Sequence, residues 1–481
     1  MKTRLNKHTV AGVRLLPALL LACLGFASPA FAAKSKPLRA AIPPGAIEHI
    51  LVIDLENENF DDTFGHASPA PYLKYTLLKK GQLIVNYFGT SHASAGNYIA
   101  QVSGQGTTVA LNNDCIDLSS IKPGDYSHIV GEFKDVTPGT DAEDKANHPG
   151  QVAGDGCVFP APTAATHGAR TIGEQLDEHY GKTGKPTWRA YMEDMGNDPA
   201  RDYGTPDPLG GTTCAHPPIG GTDYTNNAVA HDQYATRHNP FMYFHSVIDD
   251  EARCNARVVP LGKVVVSSAD KGDKFSGHLY NDLRSVATTP KFMFVTPNLC
   301  NDAHDATCAA PNIEASKDEK DRNIGEIAAA DLWLKHWMPM IFASPAYQSG
   351  KMLVVLTFDE AEMEDSRACA SENQQDCGSP TGPNVSNPGF STLLERFHKQ
   401  TRPTANYTYP GGGHIGAVLL NKRYIKPGSV NNTGHYNHYS ALRSYQDLLG
   451  ITTGGDDGLG HLGYAATAGM KPFGKDVFNR R

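Results

Sequence analysis

Residues 49–66, HILVIDLENENFDDTFGH, run from four consecutive apolar side chains (Ile50, Leu51, Val52, Ile53) into Asp54, Glu56, Asn57, Glu58, Asn59, Asp61 and Asp62. An unbroken apolar run of this length, stopped by polar residues, reads as a strand buried on both faces. In open sheets of such strands, ligands sit beyond the carboxyl ends. The acids after the run therefore stand where a sheet of this kind does its chemistry.

The pattern repeats along the chain. Residues 83–88, 188–193, 291–296, 351–358 and 415–420 also read as strands, and 71–80, 95–103, 171–180, 325–342 and 438–449 as helices. In the last helix Tyr439, Leu442, Tyr445, Leu448 and Leu449 recur at helical spacing. The alternation predicts an α/β fold, a mostly parallel central sheet flanked by helices. Residues 112–165 and 197–290, and a shorter stretch at 362–392, are rich in Gly, Pro, Asp, Thr and Cys. They read as loop insertions that cap a site on one large domain, 33–481.

The first 32 residues read as a signal peptide. Lys2, Arg4, Lys7 and Arg14 precede an apolar core, Leu15 to Leu24, and Ala30-Phe31-Ala32 offers a cleavage site before Ala33. The core is too short to span a bilayer, and no Arg-Arg pair marks a twin-arginine route. Leu20-Leu21-Ala22-Cys23 resembles a lipoprotein box, the weaker of the two export readings. The expected location is periplasmic or secreted, with no stable membrane span.

Export gives the cysteines a meaning. Eight lie beyond the leader, at 115, 157, 214, 254, 300, 308, 369 and 377, an even number that suggests disulfides. Cys300–Cys308 and Cys369–Cys377 are natural loop staples. The other four allow 115–157 with 214–254, but spacing leaves the connectivity open. No CxxC supports a cysteine zinc site. The formal charge of −8 becomes −12 without the four leader cations, which argues against general nucleic-acid binding. No protein partner is predicted.

The strand ends share one chemistry. Glu56 and Asn57 come after the first strand, GTSHASAGNYIAQVSGQ after the second, PNLCNDAHD after the fourth and Asp359-Glu360 after the fifth; His414, in GGGHIGAV, precedes the last. Taken singly, each has an ordinary explanation as a cap, turn or solvated loop. Together they deliver carboxylates, imidazoles and a hydroxyl to one rim. Ser94 stands where helix 95–103 begins, a place that favours anions. It suits either an N-cap or a nucleophile activated by metal coordination. Thr90, Ser91 and Ser103 are less well placed, and His92 suits a ligand, an acid or a polar loop residue. Phosphoryl transfer needs positive charge on the equatorial oxygens, and a rim of acids supplies it only by holding metal.

These segments carry a resemblance. ENENFDDTFG resembles the Glu-Asn-x-x-Phe-Asp-x-x-Phe-Gly signature of the bacterial phosphoesterase family, which contains acid phosphatases and phosphatidylcholine-hydrolysing type C phospholipases. SHASAGNYIAQVSG, HNPFMYF, FVTPNLCNDAHD, VVLTFDE and YIKPGSVNNTGHYNHYSALRSYQDLLG continue it in order across residues 49–451. The family is similar to the alkaline phosphatase superfamily, so the resemblance implies an alkaline-phosphatase-like fold and its mechanism. A metal-bound hydroxyl attacks phosphorus in line, a phosphoenzyme forms, and water hydrolyses it.

By that resemblance Ser94 is the nucleophile, three residues before Asn97, with His92 beside it. Glu56 and Asp359 match the nucleophile-side metal, with Asn57 as a helper and Glu360 beside it, and Asp302, His304 and His414 match the second. Arg237, His238, Asn239, His435 and His438 are expected to line the substrate side. The superfamily shows Asp-His where this chain has Asp359-Glu360, and Asp-x-x-x-His where it has Asp302-x-His304, four residues after Asn298. One or two divalent ions are therefore expected, with Zn, Ca, Mg, Mn and Fe all open.

The favoured reading is a phosphatase acting on phosphate monoesters. SHASAGNYIA resembles the acid-phosphatase branch, and the chain ends about thirty residues after the last motif. A phospholipase C-type diesterase is the alternative. A sulfatase lacks its Cys/Ser-x-Pro-x-Arg context here. A non-catalytic exported metal- or anion-binding protein would use the same rim.

Overall fold

The computed structural model describes residues 38–121, 129–138, 148–164, 167–183, 186–267, 272–304, 325–362, 383–385, 392 and 411–480. Eight strands form the central sheet. They are β1 His49–Leu55, β2 Gln82–Phe88, β3 Trp188–Met192, β4 Val258–Pro260, β5 Phe292–Thr296, β6 Met352–Phe358, β7 Ala417–Leu420 and β8 Ser429–Asn437. Their spatial order is β4-β3-β5-β1-β6-β7-β2-β8. Only β7 runs against its neighbours, pairing antiparallel with both β6 and β2. Every other pairing in this sheet is parallel.

β1 sits between β5 and β6, with Val52 opposite both Phe294 and Val355. All residues of β1 and β6 are buried. Successive side chains in a strand point to opposite faces, so both faces are covered, as the apolar runs require. The principal helices are α1 Ser94–Ser103, α2 Ile172–Tyr180, α3 Glu326–Ala343 and α4 His438–Leu448. α1 packs on α4. Thr171 and Glu174 cap α2 reciprocally, and Asn437 caps α4 by accepting from the Ser440 N–H. Residues 71–80 are helical as expected, with a π-helical turn at Leu73–Leu77. The Asp331 carboxylate of α3 accepts from the Tyr72 and Leu73 N–H groups at its start.

Two disulfides close loops outside the sheet. Cys115–Cys157 spans 42 residues and Cys214–Cys254 spans 40. Cys300 is also disulfide-bonded. Cys308, Cys369 and Cys377 lie outside the described residues, as do the expected leader and most of 362–392. No helix among the described residues is long and apolar enough to cross a membrane.

A 40-residue loop closed by a disulfide removes about 4 kcal/mol of unfolded-state entropy. The double variant Cys115→Ala/Cys157→Ala is expected to lose stability of about that size, read as a lower urea midpoint with a steeper slope, since the freed unfolded chain exposes more surface. An unchanged midpoint would show that this bridge does not constrain the unfolded chain.

Candidate active site

Loops beyond the carboxyl ends of β1, β2, β5 and β6 are laced together through their backbones. The Glu56 N–H donates to the Asp302 carbonyl (2.6 Å), Asp359 to Leu55 (2.8 Å) and Glu58 to Glu360 (3.1 Å). Ala361 donates to the Gly412 carbonyl (2.7 Å), and Gly89 to that of Gly413 (3.0 Å). The crossing at Gly89 leaves no room for a side chain. A Cβ there would stand 2.8 Å from both the Asp359 and Gly412 carbonyl oxygens.

Ser94 begins α1 inside this frame. Its Oγ donates to Glu56 Oε2 at 2.8 Å. The hydroxyl also lies against Asp359 and eases its charge. Its single proton is on Glu56, however, so both Asp359 oxygens are buried without a hydrogen-bond donor among the described residues. Burial pushes the Asp359 carboxyl well above the usual range, and the Glu56 and Asp54 charges push it further. Asp54, two residues before Glu56 on β1, is likewise raised by burial. It accepts from Gln101 Nε2 of α1 at 2.5 Å. Ser94 and Gln101 lie two helical turns apart, so one face of α1 meets one face of β1 at two points.

Asn97 belongs to this group in a different role. Its Oδ1 accepts from the Thr90 and Ser91 N–H groups (2.7 and 3.0 Å), and its Nδ2 donates to the Ser91 and Ala93 carbonyls (2.7 and 3.3 Å). The amide thereby shapes the turn that presents Ser94. His92 Nδ1 pairs with Glu360 Oε2, and Asn57 Nδ2 donates to Glu360 Oε1 at 3.4 Å. His238, expected on the substrate side, is instead between carboxylates. Its Nε2 lies 3.0 Å from Glu56 Oε1 and its Nδ1 3.9 Å from Asp302 Oδ2, with the ring stacked on Tyr98.

Six expected residues take other places. The His304 side chain is exposed (37%) and its Nε2 pairs with Glu362 at 3.2 Å, while its N–H donates to Asp302 Oδ1 at 3.0 Å. The ring of His414 stacks on Phe60 at 4.5 Å and tilts against Phe88, while Nε2 meets the Val85 carbonyl at 2.6 Å; it packs the edge of the sheet. Asn239 is fully buried and donates to the Tyr234 hydroxyl. His438 is buried too, with Nε2 on the Asp359 carbonyl at 2.6 Å. Burial brings its pKa down to about 4, so a neutral ring anchors the backbone of Asp359. Arg237 donates to the Asn226 carbonyl, and the His435 ring lies edge-on to Phe88.

Sequence reasoning missed Asp114. Its Oδ1 accepts from the Ala95 N–H at 2.9 Å and holds the start of α1. It stands in the first insertion beside the Cys115 bridge, where no periodicity signals it.

No group of three or more His, Cys, Asp or Glu side chains among the described residues has a ready metal-binding arrangement. The site is richer in other oxygen donors. Asn57 Oδ1, like both Asp359 oxygens, is buried without a donor among the described residues. A fully buried carboxylate with no donor is costly unless protonated or held by a cation. Carboxylate, amide and hydroxyl oxygens together fit a hard divalent ion.

The phosphoesterase family model matches residues 69–452, and the chain belongs to that family. It is 25% identical over 286 residues to a phosphate-repressible acid phosphatase of Penicillium chrysogenum, covering 60% of this chain and 42% of that protein. It is 21% identical over 317 residues to a probable acid phosphatase of Kluyveromyces lactis, covering 66% and 48%. The chain thus spans less than half the length of each. Solved structures similar to it include an alkaline phosphatase superfamily protein from Vibrio parahaemolyticus, at 11% identity and TM-score 0.38 over 86% of this chain and 69% of that one. Another is a mutant of the alkaline phosphatase PafA, at 11% identity and TM-score 0.34 over 91% and 100%.

The Asn97→Ala variant leaves two buried N–H groups without acceptors, at about 1–3 kcal/mol each. A loss of roughly 2–5 kcal/mol in urea unfolding is expected; a loss below about 1 kcal/mol would mean that the turn does not depend on Asn97. Burial also pushes Glu58 and Glu193 up to about 8. An acid raised on folding stabilises the fold fully below its unfolded pKa, and this is lost as pH rises through the folded value. Chelator-treated protein should therefore melt higher near pH 5 than near pH 8, and the reverse order would contradict these assignments.

Proposed function

We propose that this chain is an exported, metal-dependent phosphatase that hydrolyses phosphate monoesters through a phosphoserine on Ser94. One observation carries the reading: the Ser94 hydroxyl, at the start of α1, donates to Glu56 beside an Asp359 carboxylate that lacks a donor. The acid phosphatases among its relatives favour monoesters. The two closed disulfides, with the leader-like start, favour an oxidising compartment.

Glu56, Asn57, Asp359 and Glu360 would hold the divalent ion, with Ser94 Oγ, Asp302 and His238 adjoining. When bound, the ion supplies positive charge against the phosphoryl oxygens and lowers the pKa of the serine. Ser94 Oγ attacks phosphorus while its proton passes to Glu56 Oε2. The bond from phosphorus to the ester oxygen breaks, and the departing oxygen takes a proton from a water to leave as the alcohol. The hydroxide so formed attacks the phosphoserine, phosphate leaves, and the serine oxygen recovers its proton from Glu56. His92 keeps Glu360 in place, His238 orients Glu56, and His438 fixes the Asp359 backbone.

Turnover of p-nitrophenyl phosphate, beside a phosphatidylcholine substrate, tests the reading. Exhaustive chelation should abolish turnover, and one added divalent metal should restore it. Ser94→Ala should fold, retain metal and lose about 10³-fold or more in kcat. Rapid acid quench should trap phosphate on the Ser94 peptide. Wild-type rates in Ser94→Ala, or full activity without metal, would overturn the mechanism; preference for the lipid would move the assignment to the diesterases.

A further inference from the structure

The edge of the sheet opposite Ser94 is built from turns. Lys79 and Lys80 end the helix before β2, residues 421–428 join the end of β7 to the start of β8, and Ser349 and Gly350 come shortly before β6. β7 runs antiparallel to β2 and β6, while β8 runs parallel to β2, so all three turns fall on that one edge. Hydrogen bonds join them. The Gly428 N–H donates to the Gly81 carbonyl (2.8 Å) and Lys422 Nζ to Gln348 Oε1 (2.6 Å). The Arg480 N–H donates to the Tyr424 carbonyl (3.1 Å), and the Lys426 N–H to Asn479 Oδ1 (2.8 Å).

This edge gathers positive charge. Lys79, Lys80, Lys422, Arg423, Lys426 and Arg480 are all exposed, and none pairs with a carboxylate among the described residues. The carboxylates on this side are engaged elsewhere. Glu48 pairs with Lys351, and Asp476 accepts from Asn431 Nδ2 and the Tyr436 hydroxyl. The whole chain carries a formal charge of −8, so this face opposes the balance of the molecule. Like charges gathered on one face repel one another, most strongly at low salt, and an anionic partner removes that cost.

The neighbouring side chains select the partner. Val430, four residues past Lys426, and Tyr75, one helical turn before Lys79, are each 61% exposed. Cations with apolar side chains beside them suit the headgroup region of an anionic bilayer. Ammonium and guanidinium groups meet the phosphates there, and apolar groups enter the acyl boundary. A single-stranded nucleic acid would gain from rings open to stacking. The one ring in the 421–428 loop, Tyr424, is instead covered by the Arg423 guanidinium at 5.3 Å.

We propose that this basic face, at the pole remote from Ser94, docks the protein on an anionic lipid surface. Docked in this way, the protein turns Ser94 towards the water. The proposal rests on charge and topology and is independent of the phosphatase reading.

The test is cosedimentation of chain 33–481, the expected mature form, with vesicles of phosphatidylcholine alone and of phosphatidylcholine mixed with phosphatidylglycerol. It is repeated with Ser94→Ala, so that lipid hydrolysis plays no part. Both proteins should pellet with the mixed vesicles only, and less as salt is raised. Each charge near such a surface is worth about fivefold in binding. Lys422→Gln/Arg423→Gln/Lys426→Gln should therefore bind roughly 100-fold more weakly, with an unchanged urea midpoint. Lys79→Gln/Lys80→Gln, on a separate element, should bind roughly 25-fold more weakly. Lys134→Gln/Lys274→Gln, altered in the two insertions, should bind as the wild type does. Failure to pellet with the mixed vesicles at low salt, undiminished binding in both basic-face variants, or an equal loss in Lys134→Gln/Lys274→Gln would overturn the proposal. Binding to dextran sulfate without binding to vesicles would overturn it too, and would give the face to a soluble polyanion.

Discussion

Asp54, Glu56, Asp302 and Asp359 are buried together at one edge of the sheet, each with at most 1% of its surface exposed. Like charges removed from water repel and lose solvation at once, so such a group cannot all ionise unless something answers it. The surroundings answer in part. Gln101 donates to Asp54, Ser94 and His238 engage Glu56, and the Glu56 N–H is fixed to the Asp302 backbone. Asp359 receives only the proximity of a hydroxyl whose proton is elsewhere. The packing of α1 on β1, the turn held by Asn97 and the anchoring of Asp359 by His438 all keep these acids where they conflict. In the proposed reading, a bound cation would relieve that conflict.

Much of this was legible because strand ends are legible. β1 runs one residue before its apolar run and two beyond it, and Glu56, Asp359 and Ser94 come immediately after such strands or at the helix beyond. The two strands missed are the outermost of the sheet, β4 and β8. An edge strand has one neighbour and needs less apolar surface. β8 reads SVNNTGHYN, and its register shifts between Asn431 and His435, so no alternation survives in its sequence.

Side-chain direction was less legible than position. His304 and Asp302 are two residues apart, yet only Asp302 turns inward, because the Asp302 backbone is tied to Glu56 while His304 faces Glu362. His414 arrives at the predicted rim, but Phe60 and Phe88 hold its ring. His238 lies closer to the chemistry than expected. Its contact with Glu56 depends on how the second insertion folds back over β1, which no local pattern encodes.

β7 is the one strand that begins, rather than ends, at the active edge. The chain therefore leaves β6 at Asp359 and approaches β7 from Gly411 on the same side of the sheet, so both ends of the intervening sequence are fixed beyond the carboxyl end of β6. Chain length there can change at small entropic cost without shifting the register of either strand. Insertions or deletions between these two anchors would leave Ser94, Glu56 and Asp359 in place.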